Sequence, residues 1–499
     1  MSRKFVAVLL FVVVVSVFSA CKTGLLGGDL PASKEPQAPP PPVVVDGMRT
    51  SYADVVEKTS PAVVRIEADH KTKPQPQSPS MDDLFKQFGF PGGPQQPQQQ
   101  PQGPQVQRGL GSGVIVSADG SILTNNHVVD GADKITVQMS DNKDFVAKVV
   151  GTDPLSDLAV LKIEAQNLPY LNLGNSDSVR VGDVVLAIGN PLGIGQTVTA
   201  GIISAKGRQT GLSDGSFEDF LQTDAPINRG NSGGALVNLN GELIGINSQI
   251  LSPGGASGGN IGIGFSIPSN MAKSVLEQLL KDGKVHRGLL GINIRDVDDD
   301  MAEALDLKDK AGVLVGGVQA GSAAEKAGVK RGDFITAING EKTESRNVLR
   351  NKVAGTAPGT EIKLTLIRDG KEMELTAKLD ELDSSTLKKG TPGEEDENGD
   401  EKPGQSGKLG VSLVPLTSQM AKQLGVPADT EGMAVTEVDP SGVAAESGLL
   451  RGDVIMEINR KPVKSVEEVQ SALEGTSGKP VLILFARKGS TNYLTIRPR

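Results

Sequence analysis

Between residues 109 and 268 the chain alternates short Val- and Ile-rich runs with turn signals: "GVIVSADGSILT", "KITVQMSDNKDFVAKVVGTD", "DLAVLKIE", "GDVVLAIGNPLG", "GIISAKG" and "ALVNLNGELIGINSQI". β-branched runs of this length, split by Gly, Asp and Asn with no helical stretch between them, predict an antiparallel barrel or sandwich. The period then changes. "PSNMAKSVLEQLLKDG" puts Val275, Leu276, Leu279 and Leu280 on one helical face with Gly283 as the stop, which predicts a helix closing the domain. Upstream, "TSYADVVEKTSPAVVRIEA" reads as a short helix followed by a strand.

The C-terminal part repeats itself. "AGSAAEKAGVKRGDFITAINGEK" from Ala320 aligns with "PSGVAAESGLLRGDVIMEINRKP" from Pro440 at a constant offset of 120, sharing an Ala, a Gly, then R-G-D, two Ile and an Asn. "RGLLGINI" and "GKLGVSL" open the two units. Both resemble PDZ domains, which bind an extended C-terminus as an added strand and catch its carboxylate on loop N–H groups. The resemblance maps those positions onto Leu289, Leu290, Gly291 and Ile292 in the first unit and onto Leu409 to Val411 in the second. Helices at "SRNVLRNKVAG" and "SVEEVQSALEG" are the expected opposite walls, and Ser465 and Glu468 have capping-box spacing. The R-G-D string reads as a buried turn. Between the units, "TPGEEDENGDEKPGQSG" is an acidic linker. A second unit hung on it is expected to couple weakly and mainly to raise local substrate concentration.

Composition adds limits. At 499 residues the chain has room for roughly three domains of about 150 residues. Trp is absent and aromatics are 3%, so Val, Ile and Leu do the packing, while 61 Gly favour a turn-rich β protein. A net charge of −9 with no basic, aromatic-interleaved patch argues against a nucleic-acid partner. The N-terminus, "MSRK" then "FVAVLLFVVVVSVFSA", reads as a signal peptide over residues 1–20. "FSAC" resembles a bacterial lipobox, although Phe18 replaces the usual aliphatic residue. Cys21, the only cysteine, is then the expected lipid anchor to a membrane, and no intramolecular disulfide is open to the chain. Residues 21–47 read as a Pro-rich tether. Residues 71–107 form a Pro/Gln-rich insertion around an apolar island, Leu84, Phe85, Phe88 and Phe90. The expected order is therefore a β-rich domain 48–285, PDZ units 286–382 and 407–499, and linker 383–406.

"GNSGGALV", residues 230–237, holds the candidate chemistry. A serine hydroxyl is a weak nucleophile that needs a base, and the base needs a third group to hold its tautomer. Of three histidines, His70 borders the insertion and His286 follows the closing helix, and both read as surface residues. His127, in "ILTNNHVVDGA", ends a strand-like run, and Asp157, in "DPLSDLAVLKIE", precedes another. The order His127, Asp157, Ser232 is that of chymotrypsin-type proteases. An α/β-hydrolase would need a helix after the serine and both partners downstream of it. Here strand, turn, strand follows.

"TNNHVVDGA", "DPLSDLAVLKI", "TDAPINRGNSGGALVNLNGELIGIN" and "GIGFSIPSNM" together resemble the DegP/HtrA family of serine endoproteases. The resemblance implies a chymotrypsin-like double β-barrel with two PDZ (α+β) domains, Ser232 as nucleophile, His127 as base and Asp157 as its support. It implies an oxyanion hole from the N–H groups of Gly230 and Ser232. It places substrate specificity around residues 225–229 and 245–248, with Ile227, Asn231 and Ile246 as candidates, and no acidic residue at the pocket base to favour Lys or Arg. It also implies unfolded polypeptides and hydrophobic C-termini as partners, a periplasmic or cell-envelope location, and a homotrimer or a multiple of it, with Tyr52 a candidate contact. No cluster with metal-ligand spacing is present in the sequence, so neither metal nor cofactor is expected. A chaperone-like or scaffold protein is the alternative class; a dead protease would have lost a triad residue, and none is lost.

Overall fold

The computed structural model describes residues 44–45, 48–49, 51–71, 106–191, 195–211, 216–228, 230–252, 259–383, 409–476 and 478–498. The leader, Cys21, the apolar island of the insertion and the acidic linker lie outside them. Residues to Asp54 belong to a separate unit, in which Val44–Val45 pairs antiparallel with Met48–Arg49. The second unit, from Val55 on, is mainly β.

Two closed six-stranded barrels come first. In the first barrel, neighbouring strands are Val63–Lys71, Val106–Ile115, Ser121–Thr124, Leu158–Lys162, Asp144–Asp153 and Lys134–Gln138. Its wholly buried side chains are aliphatic, among them Ile66, Ile115, Ile122, Leu123, Leu158 and Leu161. The strands flanking the Pro/Gln-rich insertion stay paired to Lys71 and Val106. The second barrel runs Thr197–Arg208, Phe220–Thr223, Gly264–Pro268, Leu243–Ile250, Ala235–Asn238 and Val184–Gly189 around Val185, Ala187, Ile203, Leu221, Ile227, Leu236 and Ile244.

The closing helix spans Ser269–Asp282 and ends on Gly283 at φ 71°, a left-handed cap whose N–H reaches Leu279 O. Its buried face is Ala272, Val275, Leu276 and Leu279. Leu280, expected on that face, is 50% exposed, because one further residue rotates it about 100° past the seam.

Each PDZ unit is a five-stranded sheet with a short sixth strand. In the first the order is Ile292–Asp296, Val313–Val318, Phe334–Ile338, Glu361–Arg368 and Lys371–Lys378. In the second it is Val411–Pro415, Met433–Val438, Val454–Ile458, Val481–Arg487 and Ser490–Ile496. The repeat now has a physical reading. Asp333 is fully buried and binds Arg368 through two bonds of 2.6 Å, while Lys330 N–H donates to it at 2.8 Å. Asp453, Arg487 and Leu450 N–H repeat this with 2.6, 2.6 and 2.8 Å. The repeated Asn339 and Asn459 take φ of 51° and 50°, and their side chains accept the N–H of Lys363 and Leu482. At the helix Val466–Leu473, Ser465 Oγ accepts Glu468 N–H as its spacing predicts. The Glu468 carboxylate turns to Lys464 N–H at 2.6 Å.

The second unit does not simply hang on its linker. The outer faces of the two sheets meet over Leu314 and Phe334 from the first and Leu482, Leu484 and Tyr493 from the second, with Val297 and Met301 alongside. Thr491 Oγ donates to Gly316 O at 2.7 Å, and Arg331 pairs with Glu457 at 2.8 Å. Besides the linker, an apolar seam joins the second unit to the first PDZ unit, since outward-facing leucines on a sheet need a partner surface.

Candidate active site

Strand register assembles the site. Thr124 lies opposite Ala159 in the first barrel, so the residues just past Thr124 meet the residue just before Leu158. His127, in the single helical turn Asn126–Val129, thereby reaches Asp157: Nδ1 lies 2.8 Å from Oδ2 and 3.0 Å from Oδ1. The backbone N–H of His127 also donates to Asp157 Oδ1 at 3.0 Å. Asp157 sits in the left-handed region, φ 54°, and its carbonyl accepts Asn126 N–H and the Asn125 side-chain amide, at 3.1 and 3.0 Å. These bonds hold a backbone conformation that Asp adopts at a cost.

The second barrel supplies the serine. Ala235 lies opposite Ile246, which brings the turn at 230–234 against Asn247 and Ser248. Gly233 N–H donates to Asn247 O at 2.7 Å, and Gly234 N–H to Asn231 O at 2.9 Å. Gly233 has φ 83°, and a Cβ there would fall 2.1 Å from Ser112 O, so only glycine fits. The Ser232 hydroxyl donates to Ser248 O at 2.9 Å, and Ser248 Oγ donates to Asp157 Oδ2 at 3.0 Å. Ser248 thus bridges serine and aspartate, a role its position in the expected specificity stretch does not announce. Among the described residues no hydrogen bond joins Ser232 Oγ to His127. Free enzymes often hold this pair loosely until substrate arrives.

The remaining candidates are distributed as follows. Ile227 is buried in the second core, where a Cβ on Gly264 would come within 2.9 Å of it, and Ile246 is completely buried. Asn231 is 2% exposed, its side chain against Gly189, with Oδ1 lacking a partner. In the first PDZ unit, Leu290 lies in the core, and its carbonyl and that of Gly291 accept Ala324 N–H and Gln319 N–H, both at 2.9 Å. Leu289 pairs with Asp380, and Ile292 with Val318. His70 and His286 lie apart from the site, bonded to Gly131 O and to Glu381.

The first PDZ unit touches the protease barrels through charged and aromatic groups. Arg287 forms a buried two-pronged pair with Asp153, at 2.8 and 2.5 Å, four residues ahead of Asp157. The rings and chain of 216–218 complete the contact. Arg287 and Arg350 stack on the Phe217 ring at 4.8 and 4.5 Å, and Asn347 and Asn351, on the helix Arg346–Gly355, donate to Glu218 O at 2.7 and 2.9 Å. Beside this junction, burial lifts the Asp219 carboxyl to about 6, with Asp177 adding and Lys206 opposing.

Comparison with known proteins agrees with this construction. Residues 111–246 match the trypsin-like peptidase domain, and residues 288–379 and 434–487 each match a PDZ domain. A probable periplasmic serine protease, do/HhoA-like, from Haemophilus influenzae is 45% identical, over 90% of this chain and 92% of its own. The periplasmic pH-dependent serine endoprotease DegQ of Escherichia coli is 42% identical over 90% and 91%, and DegP of the same organism 42% over 90% and 92%. Among solved structures, the HtrA-type protease AlgW with a tripeptide is 42% identical, covers 67% of this chain and 98% of its own, with a TM-score of 0.53. The molecule is a serine-type endopeptidase with a chymotrypsin-like double barrel and two PDZ domains. Within that class, the chain belongs to the DegP/HtrA family.

Proposed function

We propose that this chain is an exported quality-control endoprotease that cleaves unfolded or misfolded polypeptides. Ser232 is the nucleophile, His127 takes its proton and returns it to the leaving amine, and Asp157 holds the imidazole. The N–H groups of Gly230 and Ser232 stabilise the tetrahedral oxyanion. The observation that carries this reading is the doubly hydrogen-bonded His127–Asp157 pair beside a serine in a glycine turn. The specificity pocket lies at residues 225–229 and 245–248, where Ile227, Asn231 and Ile246, all buried, support its wall from behind.

The first PDZ domain takes hydrophobic C-termini. Support comes from the Leu290 and Gly291 loop, whose carbonyls are used internally, and from the strand Ile292–Asp296, paired on one side by Val313–Val318. The groove's helix, Arg346–Gly355, touches Ser216, Phe217 and Glu218 of the protease domain, a direct route for peptide binding to bias the catalytic loops. Such coupling is typically about 1–3 kcal/mol. Residues 1–20 act as a signal peptide and Cys21 as a lipid anchor in the periplasm or cell envelope, with 21–47 as tether; the domain order is 48–285, 286–382, linker 383–406 and 407–499. The working form is a homotrimer or a multiple of it. Labelling with a fluorophosphonate probe, alone and with C-terminal peptides, tests the enzyme reading: labelling lost in Ser232→Ala and accelerated by peptide supports it, and labelling that survives Ser232→Ala refutes it.

A further inference from the structure

Ser112 stands in the first-barrel strand Val106–Ile115, completely buried, and spends its hydrogen-bonding groups on the turn that carries Ser232. Its N–H donates to Ser232 O at 2.8 Å. Its hydroxyl donates to Gly230 O at 2.6 Å, and Ser112 Oγ in turn accepts Asn190 N–H at 2.8 Å. Its carbonyl accepts Thr124 Oγ at 2.7 Å. Because Asn190 N–H occupies a lone pair of Ser112 Oγ, the single hydroxyl proton is free to point at Gly230.

The consequence concerns peptide planes. Gly230 O belongs to the 230–231 peptide and Ser232 O to the 232–233 peptide. Ser112 therefore pins the planes on either side of the 231–232 peptide, whose own carbonyl accepts Gly234 N–H. A trans amide directs its N–H opposite its C=O, so Ser232 N–H is turned away from Gly234. We propose that Ser112 is a positioning residue for the oxyanion hole, a clamp thrown from the first barrel across to the backbone of the second. The proposal rests on Ser232 being the nucleophile. It explains why a polar side chain is completely buried behind this turn: a preorganised Ser232 N–H needs no rearrangement when charge develops.

Ser112→Ala removes the hydroxyl and leaves Gly230 O and Asn190 N–H without it. The expected result is a fall in kcat of about 10- to 100-fold with KM unchanged, below the roughly 100- to 1,000-fold of losing a donor outright because the donors themselves remain. Affinity for a peptide boronate, whose tetrahedral anion uses the same donors, should fall by the same factor. Ser112→Thr, which keeps the hydroxyl, should recover most of both. Val137→Ala, a cavity in the same barrel, serves as the stability control. An unchanged kcat in Ser112→Ala, a rise in KM alone, or a loss that Val137→Ala reproduces at equal melting temperature overturns the proposal. Proteolysis surviving Ser232→Ala would instead overturn the reading beneath it.

Discussion

The Ser232 hydroxyl donates to the Ser248 carbonyl at 2.9 Å, not to His127. To act as the proposed nucleophile, Ser232 must turn about its Cα–Cβ bond toward the imidazole, leaving Ser248 O. Ser248 meanwhile holds Asp157 from its other end, so one residue restrains both the proposed nucleophile and the acid.

Ser248→Ala keeps the carbonyl and deletes the bond to Asp157. A hydrogen bond to a carboxylate contributes about 1.5–3 kcal/mol. Only part of that is felt by His127, so kcat should drop about tenfold with KM unchanged. Stopped-flow turnover reads both constants; an unchanged kcat would remove Ser248 from the support of Asp157.

Asp333→Asn should destabilise the first PDZ domain by about 3 kcal/mol, since Arg368 is left beside a buried site without its counter-charge. Asp453→Asn should do the same to the second through Arg487. Hydrogen exchange resolved by domain reads the two separately; equal loss in both domains from either change would contradict independent cores.

Asp219 gives a pH test. Its folded-state carboxyl is raised to about 6 from 3.8, so the folded chain holds a proton the unfolded chain has released between those values. Its ionised form therefore weakens the fold above pH 6, and that loss is relieved as pH falls. Asp219→Asn should melt higher than the parent at pH 7.5, with the difference shrinking through pH 6 and gone by pH 4. A constant offset across this range would remove the burial explanation.

Arg287→Ala breaks the buried pair with Asp153 and one of the two cations on Phe217. Peptide affinity of the first PDZ domain should be retained, while peptide-stimulated turnover falls toward the unstimulated rate. Chains ending near residue 285 should show no stimulation. Chains ending near 382 uncover Leu314 and Phe334 and should bind a hydrophobic dye, which the full chain should not.

Cys21→Ser should shift the protein from the membrane pellet to the soluble fraction or block its processing. A wild-type protein found soluble and without lipid by mass spectrometry would refute the anchor.

Much of this molecule was readable from local order alone. The strand runs, the helix over Ser269–Asp282 and its Gly283 stop follow from period and turn chemistry, which involve neighbours in the chain. The 120-residue repeat and the order His127, Asp157, Ser232 carried the family, because several spaced motifs restrict the answer far more than one does. What the sequence could not determine are pairings of ordinary residues across great separations. Ser112 meets Gly230 over 118 positions, Arg287 meets Asp153 over 134, and Asn293 meets Thr491 over 198. A serine, an aspartate or a leucine in a strand carries no mark of its distant partner. Barrel closure and strand register decide which of them face each other, and only the folded chain puts Ser112 behind Gly230, Ser248 under Asp157, and the outer leucines of one PDZ sheet on those of the other.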